Sequence, residues 1–281
     1  IIMLSPQCDG SLNCFSSKAR ETLEPLLRDE IATFVKHKYG VGYDSLSVGE
    51  VFRKLLPGVS EWPTSFETAG HVAHLNLRES LLPHKHLIGE VILDKNKHIR
   101  TVVNKTSHIA TKFRTFPMEV LAGKDDTNVE VHEGGAKFRF NFRDVYWNSR
   151  LQREHQRLVE LFAPNETICD VMAGIGPFAI PAALKGCKVL ANDLNPESFR
   201  YLRENVELNK VQGRVSCFNL DGRQFVRKVL EQGDFFSHAV MNLPASAITF
   251  VDAFRGAFPI DTWRNHQLPI VHCYCFTTAE D

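Results

Sequence analysis

From Asp170 onward the chain repeats one pattern, short apolar runs alternating with amphipathic stretches, and this limits the folds open to it more than any other feature. The runs at 167–171, 188–193, 215–220, 237–243 and 269–276 have the length and apolar density of strands buried on both faces. Between them, residues 178–185, 196–209, 223–232 and 246–258 carry helical spacing. Strands separated by helices of this length build βαβ units, whose strands lie parallel in one sheet. The expected fold is therefore α/β, a Rossmann-like parallel sheet with helices on both faces. Ligands of such sheets bind beyond the carboxyl ends of the strands, so the residues that follow each run are the ones to inspect.

The first run ends in Asp170-Val171-Met172-Ala173-Gly174-Ile175-Gly176-Pro177-Phe178. Glycine at 174 and 176 lets the backbone pass close to a ligand with no Cβ in the way. The third glycine of a dinucleotide fingerprint is absent, position 179 being alanine, so a pyrophosphate cradle and NAD are disfavoured. Roughly twenty residues further on, the second run ends in Asp193-Leu194-Asn195-Pro196, where an acid can accept both ribose hydroxyls. Asp221-Gly222 ends the third run, placed to meet an adenine amino group. Each acid taken alone reads equally well as a helix cap. Three acids at successive strand ends define a nucleoside-bearing cofactor site, and the pattern resembles class I S-adenosylmethionine-dependent methyltransferases. The fourth run ends in Asn242-Leu243-Pro244. An asparagine there offers a donor and an acceptor to a nucleobase edge, with the proline stiffening the turn; an ordinary turn is the equal alternative.

Further motifs occur in the same chain: Tyr146-Trp147-Asn148-Ser149-Arg150-Leu151, Glu154-His155, Phe113-Arg114-Thr115-Phe116, Glu119-Val120-Leu121-Ala122-Gly123, His71-Val72-Ala73-His74-Leu75-Asn76-Leu77-Arg78 and Pro83-His84-Lys85-His86-Leu87-Ile88-Gly89. With Asn242-Leu243-Pro244 they resemble the archaeal–eukaryotic tRNA guanine-37 N1-methyltransferase family, over roughly residues 63–277. The resemblance implies S-adenosyl-L-methionine as cofactor and N1 of guanine 37, beside the anticodon of tRNA, as methyl acceptor. It implies Glu154 as general base, Arg114 as the residue stabilising charge on O6, and Asn242 as the group orienting the base. Pro244 then shapes the slot, and Tyr146 is an aromatic wall for a flipped base. His155, Asp193, Leu194, Asp221, Gly222 and Asn242 match cofactor-contacting positions, beside Asp170, Gly174 and Gly176 of the turn. Without the resemblance, Glu154 in the polar run 153–157 reads as a solvated helix charge and Arg114 as a surface charge. Two other readings stand beside this one: a wybutosine-pathway aminocarboxypropyl transferase using the same cofactor, and a truncated, catalytically inactive tRNA-binding protein.

Before residue 150 the pattern differs. Residues 22–39 and 48–56 have helical spacing, and 71–77, 101–104, 119–122, 129–132 and 137–142 read as strands, the last two joined at a Gly134-Gly135 hairpin. This gives a smaller α+β, tRNA-binding domain over 1–150 and a methyltransferase domain over 151–281, with a helix at 151–162 leading into the sheet. Lys+Arg and Asp+Glu are equal at 33 each, so only local patches can draw a nucleic acid. Lys85, Lys95, Lys97, Arg100, Lys105, Lys112, Arg114, Arg139, Arg143 and Arg150 form one candidate phosphate-binding face, with a solvated surface as the alternative. The seven cysteines are scattered and read as free thiols, and no metal site is indicated. No apolar stretch reaches the ~20 residues a membrane span needs. A monomer is expected. By the resemblance, its compartments are cytoplasm, nucleus and mitochondrial matrix. The start at Ile1-Ile2-Met3 and the mere five residues after 276 suggest a piece of a longer protein, short of a full N-terminal domain and of the last sheet strands.

Overall fold

The computed structural model describes residues 4, 8, 10–35, 40, 42–59, 61–63, 65–106, 113 and 115–276. By contact the chain forms two compact units, Ile1–Leu46 and Ser47–Asp281. The first contains helix α1 (Ser17–Arg28), capped by the Ser16 hydroxyl, which accepts from Ala19 N. Its span differs from the expected 22–39. Glu30 takes a left-handed φ of 58° just past the end, which stops the helix. Residues 36–39 of the expected helix lie outside the described residues.

The second unit opens with α2 (Val48–Leu55), whose start is fixed by a reciprocal Ser47–Glu50 capping box. A four-stranded mixed sheet follows: β1 (Glu67–Ala69), β2 (Val72–Leu75), β3 (Thr101–Lys105) and β4 (Met118–Gly123), in that spatial order. β2 and β3 run parallel, and the crossover between them is a 3-10 turn continued by α3 (Lys85–Lys95). A Cβ on Gly89 would meet Leu121 Cβ at 2.8 Å, so glycine is what lets α3 settle onto β4. Next comes the hairpin β5 (Asn128–Glu133) and β6 (Ala136–Asn141). Gly134 and Gly135 both have positive φ, 58° and 77°, as a two-residue hairpin turn of matching twist requires.

Helix α4 (Gln152–Leu161) leads into the α/β region: β7 (Thr167–Asp170), α5 (Ala179–Lys185), β8 (Lys188–Asn192), α6 (Pro196–Leu208), β9 (Val215–Phe218), α7 (Gly222–Glu231), β10 (His238–Asn242), α8 (Ile260–Trp263) and β11 (Ile270–Tyr274). The five strands are all parallel in the order β11-β10-β7-β8-β9, so the winding reverses between β7 and β10. Alternation along the strands feeds two cores. Val240 and Ile168 face the one built with Leu158, Phe178 and Leu202, while Ala239, Met241 and Cys169 face the one built with Phe225, Val229 and Trp263. The stretch expected as a helix at 246–258 is a 3-10 helix over Ala247–Phe254. Ser246 N and Ala247 N both converge on Leu243 O, which starts the segment as a tightened turn after Pro244.

The expected boundary at 150/151 falls inside the second unit. It separates the mixed sheet from the parallel one, but the core crosses it: Phe138 and Phe140 of the hairpin are buried in one cluster with Phe178, Ile180 and Leu158. Asn205 and Asn209 of α6 accept the β6 backbone amides of Arg139 (2.7 Å) and Lys137 (2.8 Å), closing an edge that would otherwise be unpaired. No helix among the described residues is long and apolar enough to cross a membrane.

Candidate active site

The reversal between β7 and β10 opens the sheet's carboxyl end, where the turn after β7 lies. Gly174 donates its N–H to Asp193 Oδ2 (2.8 Å) and Asn195 donates to Oδ1 (2.8 Å), so the acid after β8 holds the glycine turn in place. Gly174 has φ of 56°, and a Cβ built there would meet nothing within 4 Å, leaving that side of the turn open. Gly176 has a different reason: at φ of 102° its Cβ would lie 2.9 Å from both Ile180 and Leu202. Asn192 staples three elements, giving its amide to Val171 O and Leu220 O and accepting from Leu220 N. Asn219 bonds the carbonyls of Asp193 and Leu194, which fixes half-buried Leu194 at the rim.

Asp221 caps α7 by accepting Arg223 N at 3.0 Å, so the capping alternative holds for this acid even at its strand-end position. Gly222 is closely packed, since a Cβ would lie 3.1 Å from Val171 Cγ1 and 3.2 Å from Phe250 Cδ1.

Two groups at this end of the sheet are buried with polar atoms lacking any partner among the described residues: both carboxylate oxygens of Asp170, and Nε2 of His155. Burial, reinforced by the charge of Asp193, pushes the Asp170 carboxyl up to about 8. Burial pushes Asp193 up to about 6, against the pull of its two backbone hydrogen bonds. His155 is fixed from its other nitrogen by Glu133 of β5 and by an edge-on contact with Phe178 at 4.6 Å. An orphaned acid, an imidazole nitrogen left with a lone pair, an open glycine turn and a half-buried acid with lone pairs to spare fit a ligand that carries an ammonium and a ribose diol. The donor set therefore suits S-adenosyl-L-methionine.

Glu154 lies on α4 and is gripped from two sides. Arg157, one turn on, donates Nε and a terminal nitrogen to its two oxygens at 2.7 Å each, and Tyr274 of β11 donates its hydroxyl at 2.8 Å. The Arg157 hydrogen bonds, with help from Tyr274 and against partial desolvation, hold the carboxyl down to about 2. Tyr274 is also the register partner of Asn242 across β10–β11 and packs on Phe178 at 5.8 Å. One tyrosine thus joins the acid of α4 to the asparagine of β10. The Asn242 amide makes no hydrogen bond to a described residue, and Pro244 is pinned through its carbonyl by Phe276 N at 3.2 Å. Tyr146 keeps 38% of its surface exposed, and its hydroxyl accepts from Asn148 at 3.3 Å. Arg114 lies outside the described residues. A free amide and an ionised carboxylate, joined through Tyr274, can read the edge of a planar base, while no hydrogen bond between described residues joins Tyr146 to either of them.

Four cations of the expected phosphate-binding face are paired with acids and a fifth bonds a histidine. Lys85 pairs with Glu119, Arg139 with Glu130, Arg143 with Asp125 and Arg150 with Glu67, while Arg100 bonds His71. The acids that cancel these charges come from neighbouring strands and loops, which a scan for basic residues does not register. Lys112 lies outside the described residues. Sequence reasoning missed Arg157, Tyr274, Glu133 and Asn192. Tyr274 and Glu133 meet the site only through tertiary contacts. Arg157 was three residues from Glu154, an i,i+3 spacing that signals a pair on any helix.

A five-stranded parallel sheet with this order and an acid-lined carboxyl end is the class I methyltransferase fold. The chain belongs to the TRM5/TYW2 methyltransferase family: the model of the TRM5/TYW2 methyltransferase domain matches residues 129–278, and that of the TYW2 N-terminal domain matches 49–127. A curated protein of Phytophthora infestans (strain T30-4), named tRNA (guanine(37)-N(1))-methyltransferase, is 56% identical over 271 residues, covering 94% of this chain and 65% of that protein. Among solved structures, the complex of aTrm5 and tRNALeu superposes with a TM-score of 0.69 at 25% identity, covering 85% of this chain and 71% of that one. TYW2 of P. horikoshii in complex with MeSAdo gives 0.57 at 27% identity, covering 74% of each chain. The chain spans 57% to 68% of the length of the first curated relatives it matches.

Proposed function

We propose that this chain transfers the methyl group of S-adenosyl-L-methionine to N1 of guanine 37 in tRNA. The observation that carries the reading is the junction at Tyr274, which sets an ionised carboxylate, Glu154, beside an asparagine with an uncommitted amide, Asn242. The naming of the curated relatives and the likeness to a tRNA-bound structure support it.

Asp170, His155, Gly174, Gly176, Asp193, Leu194, Asp221 and Gly222 line the cofactor side, with Asn242 at its border. S-adenosyl-L-methionine, when bound, supplies an electrophilic methyl group on a sulfonium. Asp170 offers a carboxylate to an ammonium, His155 Nε2, with Nδ1–H given to Glu133, a lone pair to a donor, and Asp193 lone pairs to a ribose. On the acceptor side Asn242 orients the guanine edge, Pro244 shapes its slot and Tyr146 stacks on its face. N1 of guanine carries a proton that must leave as the new N–C bond forms, and Glu154 accepts it. Arg157 and Tyr274 keep Glu154 ionised and aimed, at the cost of weakening it as a base. Arg114 stabilises the negative charge that deprotonation sends to O6. The chain acts as a monomer on the anticodon loop of its tRNA.

The match to the TYW2 N-terminal domain favours a second reading, transfer of the aminocarboxypropyl group of the same cofactor. Mass mapping of tRNA after incubation with the chain and isotopically labelled cofactor separates the two. A labelled methyl on guanine 37 is expected. A labelled aminocarboxypropyl group selects the second reading, and no label on any tRNA overturns both. Glu154→Gln is expected to keep cofactor affinity while slowing single-turnover methylation by about a hundredfold or more.

A further inference from the structure

Apart from the cofactor end of the sheet, the second unit holds a cavity of about 70 Å³ between the mixed sheet and the 146–148 segment. Its lining includes Glu67, His74, Lys105, Phe116, Tyr146 and Trp147. Two of these present nitrogens that are buried and without a partner among the described residues, His74 Nε2 and Trp147 Nε1. An indole N–H can only donate, and buried donors in native proteins find acceptors.

Lys105 stands at the end of β3 with its ammonium 3.9 Å from the centre of the Phe116 ring, and it makes no ion pair among the described residues. Five other cations of the same half of the chain are tied to a neighbouring side chain, as described above, so Lys105 is set apart from them. Burial holds its pKa below the ordinary lysine value, as happens to an ammonium that lacks a full counter-charge. Burial and the charge of Lys105 together hold His74 down to about 4, so its imidazole is neutral at pH 7 and keeps one N–H to give. The one carboxylate on the wall, Glu67, is offset by Arg150 at 3.2 Å.

We propose that this cavity, framed by Lys105, His74 and Trp147, binds a phosphate group of the RNA strand next to the target nucleotide. At roughly 10–15 Å³ of such cavity space for each water, the cavity has room for several waters and so for a tetrahedral oxyanion. The ligand called for is an anion with several acceptor oxygens, able to meet one cation and two neutral donors. Tyr146 lines the cavity and is also the proposed stacking wall for the flipped guanine. A nucleotide's phosphate lies one sugar away from its base, so a shared Tyr146 wall puts the phosphate of the same strand within the proposal. This inference rests on the RNA-methylating reading and extends it, narrowing the expected phosphate-binding face to a built subsite around one of its members, Lys105.

The test compares the chain with Lys105→Met, which keeps the aliphatic stem over Phe116, and with Trp147→Phe, which removes the N–H while keeping a ring against Phe138 and Phe140. Binding of an anticodon stem-loop bearing guanine at 37 is measured at several salt concentrations, with cofactor affinity as a control for folding. Lys105→Met is expected to weaken RNA binding about tenfold and to reduce the salt slope by about one, leaving cofactor affinity unchanged. Trp147→Phe is expected to weaken binding less, with the slope unchanged. Inorganic phosphate should compete with the RNA on the unmodified chain and lose that effect in Lys105→Met.

Wild-type RNA affinity and slope in both variants would mean that the cavity holds only water, and would overturn the proposal. A Lys105-dependent phosphate effect with unchanged RNA affinity would make it a site for free phosphate, and overturns it equally. If instead the chain methylates no tRNA while Lys105→Met still shifts stem-loop binding as described, the enzymatic reading fails and the phosphate subsite stands.

Discussion

A carboxyl group enclosed by protein keeps its proton to a pH at which it would be ionised in water. Burial, reinforced by the charge of Asp193 and only partly opposed by the Met172 backbone amide, holds Asp170 up to about 8 in this way. Unfolded, the same group titrates near 3.9. Between about pH 4 and 8 the folded chain therefore holds a proton that the unfolded chain has lost. Its contribution to stability is full below that window and is lost as pH rises through it. The cofactor-free protein is expected to lose urea resistance from pH 5 to pH 8 more steeply than Asp170→Asn does. Binding of a ligand whose ammonium meets the carboxylate runs the opposite way. Affinity for S-adenosyl-L-methionine should rise with pH, by up to about tenfold per unit below 8, and Asp170→Asn should flatten the rise. Calorimetry at pH 6, 7 and 8 checks this, and an equal rise in the variant excludes Asp170 as the ammonium's partner. Glu154 is shifted in the opposite direction, down to about 2, with the Arg157 hydrogen bonds as the largest cause. Arg157→Met should move the acid limb of kcat/KM toward the ordinary carboxylate range near pH 4, and Tyr274→Phe should move it less. Identical acid limbs in all three proteins would show that Glu154 is not the titrating base.

At the scale of elements, the turn between β7 and α5 does the most for the site, and Gly176 is its least replaceable residue. A methyl group there meets Ile180 and Leu202 at 2.9 Å on a backbone with φ of 102°. Gly176→Ala should cost about 2 kcal/mol in urea unfolding and weaken cofactor binding, because the turn that carries Gly174 has to shift. An unchanged midpoint would mean that the turn relaxes without strain. The β7–β11 run was legible in the sequence because each strand is a dense apolar run with an acid or an asparagine near its end. Helix α3 was not: it buries Ile88, Gly89, Val91 and Ile92 between β4, β3 and α2, so its apolar residues follow no single stripe. Strand β1 is three residues long and too short to show alternation. At the candidate site, the placement of Gly174, Asp193 and Asp221 just after successive strands was legible because each position is local to one strand end. The grip on Glu154 by Tyr274 spans 120 residues of chain, and the hold of Glu133 on His155 spans 22. Neither leaves a spacing to read, because strand order and register bring the partners together.

For the whole molecule, the question is where the methyltransferase unit begins. The sequence changes character near residue 150, and a boundary there is natural if each sheet is taken as a domain. The core argues for an earlier start. Ala136, Phe138 and Phe140 of the hairpin are at most 2% exposed and share a cluster with Phe178, Ala179 and Ile180 of the cofactor turn and α5. Glu133 steadies His155, and α6 bonds the β6 edge. Burying one phenylalanine stabilises by roughly 1.5–3 kcal/mol, so removing the hairpin forfeits on the order of 5 kcal/mol, comparable with the whole stability of a marginal domain. A chain cut to residues 47–281 is expected to unfold in one cooperative transition and to bind S-adenosyl-L-methionine. A chain cut to 151–281 should show neither, leaving Phe178 and Ile180 exposed and His155 without its acid. Calorimetric scans of both pieces, with and without cofactor, decide the matter. A cooperative, cofactor-shifted transition in 151–281 would place the boundary at 150, and would make the hairpin an attachment that the catalytic sheet can do without.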